Sequence, residues 1–132
     1  MTKEKKLRKS VTLAALALLT GTATLAAPAA WAASCEGGSL CVYEGTYKDG
    51  RRVEFPGNSS NWHGLGGGLN FIADHDSSWW NNAYPDSYDA VAVYRDVNYG
   101  GGRTICLERG EDSNWDWSAN DEGSSNQWLT GC

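Results

Sequence analysis

Slid along itself, the chain repeats. Val42-Tyr43-Glu44-Gly45-Thr46-Tyr47-Lys48-Asp49-Gly50-Arg51-Arg52 lies over Val93-Tyr94-Arg95-Asp96-Val97-Asn98-Tyr99-Gly100-Gly101-Gly102-Arg103 without a gap. Each copy carries Val-Tyr, a Gly seven residues beyond the Tyr, and an Arg two beyond that. Farther along, each reaches an Asp, a serine pair and a Trp: Asp74…Ser77-Ser78-Trp79 and Asp121…Ser124-Ser125…Trp128. The body is therefore two homologous halves of about 45–50 residues. A strand ending in Tyr, a turn, and Gly where the chain folds back is what a hairpin bent over its own sheet needs. Gly supplies the positive φ and the aromatic ring packs over the bend. Two such four-stranded units bury their apolar faces against each other, which predicts a Greek-key β-sandwich.

The local signals agree. No window holds a 3.6-residue apolar period, and the chain's sixteen glycines with clustered Asn, Asp and Ser interrupt every run. Leu40–Tyr43, Arg52–Phe55, Ala90–Tyr94 and Arg103–Leu107 read as strands, rich in β-branched and aromatic residues and bounded by turn residues. The fold class is all-β.

Ahead of this body stands a segment of another kind. Lys3, Lys5, Lys6, Arg8 and Lys9 face only Glu4, Val11 to Ala27 carries no charge, and Ala30-Trp31-Ala32 closes the run with small residues. A basic start, an apolar middle and a small-residue exit predict a signal peptide over 1–32, leaving a secreted domain at 33–132. As a membrane span the apolar run is short and diluted by threonines. Without residues 1–32, six bases face fifteen acids, a net charge near −9. Such a surface repels nucleic acid and anionic membranes and suits a cation or a basic protein patch.

Four cysteines in an exported chain predict two disulfides. Of the three pairings, Cys35–Cys41 with Cys106–Cys132 is favoured. Cys35 and Cys41 flank the Gly37-Gly38 turn, and the second pair staples the last residue to a strand. On the loop-entropy argument these contribute ~2 and ~3.5 kcal/mol. The spacing is not that of a CxxC zinc pair.

Tyr94 with Tyr99 and Gly101 resembles the Tyr-x4-aromatic-x-Gly folded hairpin of the βγ-crystallins. Asn120-Asp121-Glu122-Gly123-Ser124-Ser125 matches the calcium motif of their microbial members, Asn/Asp-Asn/Asp-x-x-Ser/Thr-Ser, at every position. The first half departs from both: Tyr47 falls one residue early, and Ala73-Asp74-His75-Asp76-Ser77-Ser78 begins with Ala. A second resemblance lies inside the first. Cys35-x5-Cys41-Val42-Tyr43, Asn61-Trp62 before a Gly-rich loop, and Ser77-Ser78-Trp79-x-Asn81-Asn82 resemble the secreted bacterial metallopeptidase inhibitors with a crystallin-like fold. That likeness implies inhibition of an extracellular peptidase and identifies no contact loop; a monomer is the expected state.

Asn120, Asp121 and Ser124 offer hard oxygens of the kind calcium takes. The resemblance implies that each site borrows across the halves. Asp74 and Ser77 would then join the 120–125 loop, with backbone carbonyls near Glu44 and Arg95 completing the spheres and Asp76 a substitute for Ala73. The competing reading of such acid-serine clusters is a plain polar turn. Of the tryptophans after residue 32, some belong to the core, and an exposed one could anchor a protein or stack on a sugar. Gly64–Gly68 lacks phosphate-loop spacing, and His63 and His75 have no metal-spaced partner or GxSxG elbow, so an enzyme is not expected. The expected function is secreted inhibition of a metallopeptidase on a calcium-binding domain. A calcium-stabilised structural or stress crystallin and an extracellular glycan-binding module are the alternatives.

Overall fold

The structure, a computed structural model, describes residues 34–132, and the expected signal peptide lies outside the described residues. Seven strands are arranged in two antiparallel sheets: β1 (Ser39–Tyr43), β2 (Arg52–Phe55), β3 (Ser78–Asn82), β4 (Ala90–Tyr94), β5 (Arg103–Leu107), β6 (Asp112–Ser113) and β7 (Ser125–Leu129). One sheet has the order β2-β1-β3-β6, the other β5-β4-β7. Among the described residues there is no α-helix, only short 3-10 turns. The all-β Greek-key expectation is met.

The halves are interlocked by exchange. The first half supplies β1, β2 and β3, but its sheet is completed by β6 from the second half, where Trp79 faces Ser113 and Trp80 faces Asp112. Reciprocally, Ser59 of the first half bridges Asn126 of β7, with Ser59 N–Asn126 O at 3.0 Å and Asn126 N–Ser59 O at 2.9 Å. The central strands β1 and β4 are buried along their whole length, whereas the edge strand β2 alternates, with Val53 and Phe55 inside and Arg52 and Glu54 outside. Alternation at period two places one apolar face on the core.

Between the sheets Leu40, Val42, Phe55, Ile72, Val91 and Val93 meet two fully buried tryptophans, Trp62 and Trp79. Trp62 stacks on Phe55 with centroids 5.0 Å apart, and its indole N–H donates to Asn126 Oδ1 across the halves at 2.9 Å. A buried indole needs such an acceptor to avoid an orphan donor. Trp79 and its neighbour Trp80 face opposite ways, and Trp80 is half-exposed. Cys35–Cys41 and Cys106–Cys132 are both bonded, each with a Cα separation of 5.8 Å.

Gly123 sits where the halves press together. A Cβ there would lie 2.5 Å from Trp62 Cζ3 and closer still to Asp76 Oδ2, and both side chains are fully buried. Gly123→Ala should therefore cost about 1–3 kcal/mol as overpacking, a melting-temperature loss of roughly 5–20 °C. Gly57→Ala, with open space around it, is the control and should melt close to wild type. Thermal denaturation of the two variants checks the claim.

Candidate functional site

The sequence repeat becomes a local two-fold at the 73–78 and 120–125 loops. Asp74 N donates to Gly123 O at 2.9 Å and Asp121 N donates to Asp76 O at 2.8 Å. Ser77 N donates to Tyr43 O and Ser124 N to Tyr94 O, at 2.9 and 2.8 Å. Asp74 and Asp121 hold matching left-handed φ values of 58° and 59°. Asp tolerates this region better than most residues, which suits an Asp at that place in both halves.

The folded hairpins rest on the same frame. Ser78 Oγ donates to Gly45 O at 2.6 Å and accepts from Lys48 N at 2.9 Å, while Ser125 Oγ donates to Asp96 O at 2.7 Å and accepts from Tyr99 N at 3.1 Å. The second serine of each pair is thus a clamp on its own hairpin. The first serine of the second pair instead turns its hydroxyl to the other loop, toward Asp74.

Of the sequence-chosen oxygens, Asp74 and Ser124 are brought together, with Ser124 Oγ donating to Asp74 Oδ1 at 3.2 Å across the halves. Asn120 and Asp121 adjoin, Asn120 Nδ2 donating to Asp121 Oδ2 at 3.0 Å. Ser77 is buried and tied in through its amide. Asp76 does not stand in for Ala73. Its carboxylate is buried, accepting from Gly123 N on Oδ1 and from the Trp79 indole on Oδ2, both at 2.9 Å. Burial pushes its pKa up to about 6, against the two hydrogen bonds and with help from the Asp121 charge. In the repeat Asp76 falls on Gly123, an acid opposite the one residue small enough to admit it, and that mismatch was the signal available in the sequence.

His63 joins the site without any sequence cue. Its Nε2 lies 3.1 Å from Ser124 Oγ and 3.6 Å from Asp74 Oδ2. A Ser-His-Asp relay needs serine and carboxylate on opposite ring nitrogens. Here both approach the same one, so the trio is not arranged as a nucleophile and its base. Flanking charges are mirrored in the loops' third positions. Arg95 bonds Glu122 at 2.7 Å, and Glu44 lies near His75 with its carboxyl held low chiefly by hydrogen bonds from Arg51. No group of three His, Cys, Asp or Glu side chains gathers for a metal among the described residues. A cation at these loops would be held by hydroxyl, amide and carbonyl oxygens beside one or two carboxylates, a donor set suited to a hard ion.

A family model described as peptidase inhibitor family I36 matches residues 27–107, more than half of the chain. No curated protein matches the sequence. Among solved structures, one described under the evolution of the eye-lens βγ-crystallin domain fold has a TM-score of 0.58 at 18% identity, covering 71% of this chain and 88% of that one. A βγ-crystallin domain from Clostridium beijerinckii has 0.53 at 20% identity (70% and 98% covered), and one from Ciona intestinalis 0.52 at 20% (70% and 100%). At these identities the likeness is one of fold, and the fold is that of a βγ-crystallin domain.

Asp76 generates a pH dependence. Its pKa is raised in the folded state, so its contribution to stability is fully present below pH 4 and is lost as pH rises through about 6. Relative to Asp76→Asn, the wild type should lose about 2–3 kcal/mol between pH 4 and pH 7. Denaturant melts of both proteins in chelator read this difference.

Proposed function

The chain belongs to peptidase inhibitor family I36, and we propose that it is a secreted inhibitor of extracellular metallopeptidases carried on a calcium-binding domain. The family match is the observation that carries the inhibitory role. The preference for metallopeptidases rests on the Cys35-x5-Cys41-Val42-Tyr43 and Ser77-Ser78-Trp79-x-Asn81-Asn82 motifs. Two disulfides and an interlocked sandwich suit a protein that must meet a peptidase without being unfolded and cut. On this reading the protein acts by binding, and its site presents a surface rather than a nucleophile.

Calcium would be held by Asp74 and Ser124 from opposite halves, and by Asn120 and Asp121 with Ser77. When bound it supplies a cross-link between the halves. The residues themselves keep the loops in register through the paired backbone hydrogen bonds and hold hard oxygens outward on left-handed aspartates. The crossing of the loops supports this reading, since only the folded chain brings Asp74 to Ser124.

Titration of a thermolysin-type metallopeptidase with the secreted protein should give stoichiometric loss of activity, with serine peptidases as controls. Inertness toward a panel of metallopeptidases overturns the inhibitory reading. Separately, calcium at a hundred times its dissociation constant should stabilise by ~2.7 kcal/mol, raising the melting temperature on the order of 10–20 °C, and magnesium should do much less. Asp74→Ala and Asp121→Ala should each remove part of that shift. A melting temperature indifferent to calcium leaves the loops as polar turns.

A further inference from the structure

The two folded hairpins differ in where they put an aromatic ring. In the second half Asn98 and Tyr99 take φ values of 56° and 60°, and the Tyr99 ring packs edge-on against Tyr94 with centroids 5.8 Å apart. In the first half the same two backbone positions are Tyr47 and Lys48, also at 56° and 60°. Lys48 occupies the place of the covering ring, its amine bonded to Asp112 and, at 2.9 Å, to Asn114 Oδ1. Tyr47 is left 75% exposed. The fold gains no packing from that ring.

It does not stand alone. Tyr47 N donates to Asn114 O at 2.9 Å, which sets the tyrosine beside a loop bearing Trp115 and Trp117, 52% and 80% exposed. That loop is fixed. Asp116 Oδ1 accepts from Ser118 N, Ser118 Oγ and Ala119 N at 2.9, 2.6 and 3.1 Å, and Ala119 is fully buried. Next to it a recess of about 380 Å³ is lined by Lys48, Trp80, Gly110 and Asp112. Tryptophans on a backbone ordered in advance lose little entropy on binding, and exposed indoles are the residues most often found as interface anchors. The other exposed tyrosine pair is different, since Tyr84 lies over the Gly37-Gly38 turn and has a packing role.

We propose that Tyr47, Trp115 and Trp117 form the peptidase-contacting surface, the rings entering an apolar substrate cleft and the recess beside Trp80 receiving a side chain from its rim. The assignment rests on the inhibitory reading above. Asp112 is matched by Lys48, which leaves Glu111 and Asp116, on the segment that carries the tryptophans, as the charges that call for a basic rim on the partner. Tyr47 lies within the family match, and the Trp loop lies past residue 107, where that match ends.

The test measures inhibition of a thermolysin-type metallopeptidase by wild type, Trp115→Ala/Trp117→Ala, Tyr84→Ser/Tyr88→Ser and Trp117→Phe. The double Trp variant should raise the inhibition constant about 30-fold or more while melting like wild type, because both rings are outside the core. Trp117→Phe should recover part of the loss, and the Tyr84/Tyr88 variant should stay within about 3-fold of wild type. A potent wild type with an equally potent double Trp variant overturns this assignment and leaves the inhibitory reading standing. So does a double Trp variant that loses only binding to insoluble polysaccharide. A wild type that inhibits no peptidase overturns both.

Discussion

Two backbone hydrogen bonds at the pseudo-two-fold, from Asp74 N to Gly123 O and from Asp121 N to Asp76 O, set the register on which the loop crossing depends. They join the loop of one half to the loop of the other, directly above the buried Trp62 and Trp79. Because Gly123 has no side chain, the Asp76 carboxylate can enter the gap and take the Trp79 indole and the Gly123 amide together. Remove the close approach and the indole loses its acceptor, the loops lose their register, and Asp74 no longer meets Ser124. The candidate cation oxygens are thus a by-product of how the core is closed. Left-handed backbone at two aspartates, of the order of 1 kcal/mol each, is tolerated because the crossing over-determines it.

Where the two halves obey the same rule they build the frame, and where they part company they build the loop crossing and the surface beside Tyr47. The paired serines, the left-handed aspartates and the strand exchange recur in both copies. Lys48 against Tyr99, Asp76 against Gly123 and Ala73 against Asn120 do not. Of these departures only the first acts at the surface, since Asp76 and Ala73 are buried. Lys48 turns an aromatic outward, Asp76 puts charge at the centre of the loop crossing, and Ala73 removes one oxygen from the first loop. A duplicated scaffold can hold one copy to structure while the other varies, and the packed Tyr99–Tyr94 pair against the exposed Tyr47 illustrates that division.

Strands β1, β2, β4 and β5 were legible because they are runs of β-branched and aromatic residues with turn punctuation. β3, β6 and β7 were not. Ser78-Trp79-Trp80-Asn81-Asn82 and Ser125-Asn126-Gln127-Trp128-Leu129 look polar, since Asn81 and Asn126 are buried as hydrogen-bonding groups rather than as apolar ones. The two-residue β6 exists only because β3 offers it an edge. In the site, the repeat pointed to Asp74 and Ser124 because motif spacing is a local property. It could not point to His63, whose place is set by the buried Trp62 next to it and by a contact 61 residues away. Tyr47 was visible as a ring one position out of register, and only the hairpin's backbone angles revealed that this sends it to the surface.

The exchanged third strands also bear on how the chain reaches its native state. Neither half can complete its sheet from its own sequence: the first waits for residues 112–113 and the second for Ser59. Closing such long loops costs entropy before any contact repays it, so pairings of this sequence separation work against fast, half-by-half assembly. The same exchange means that neither half can be peeled away without opening the sheet of the other.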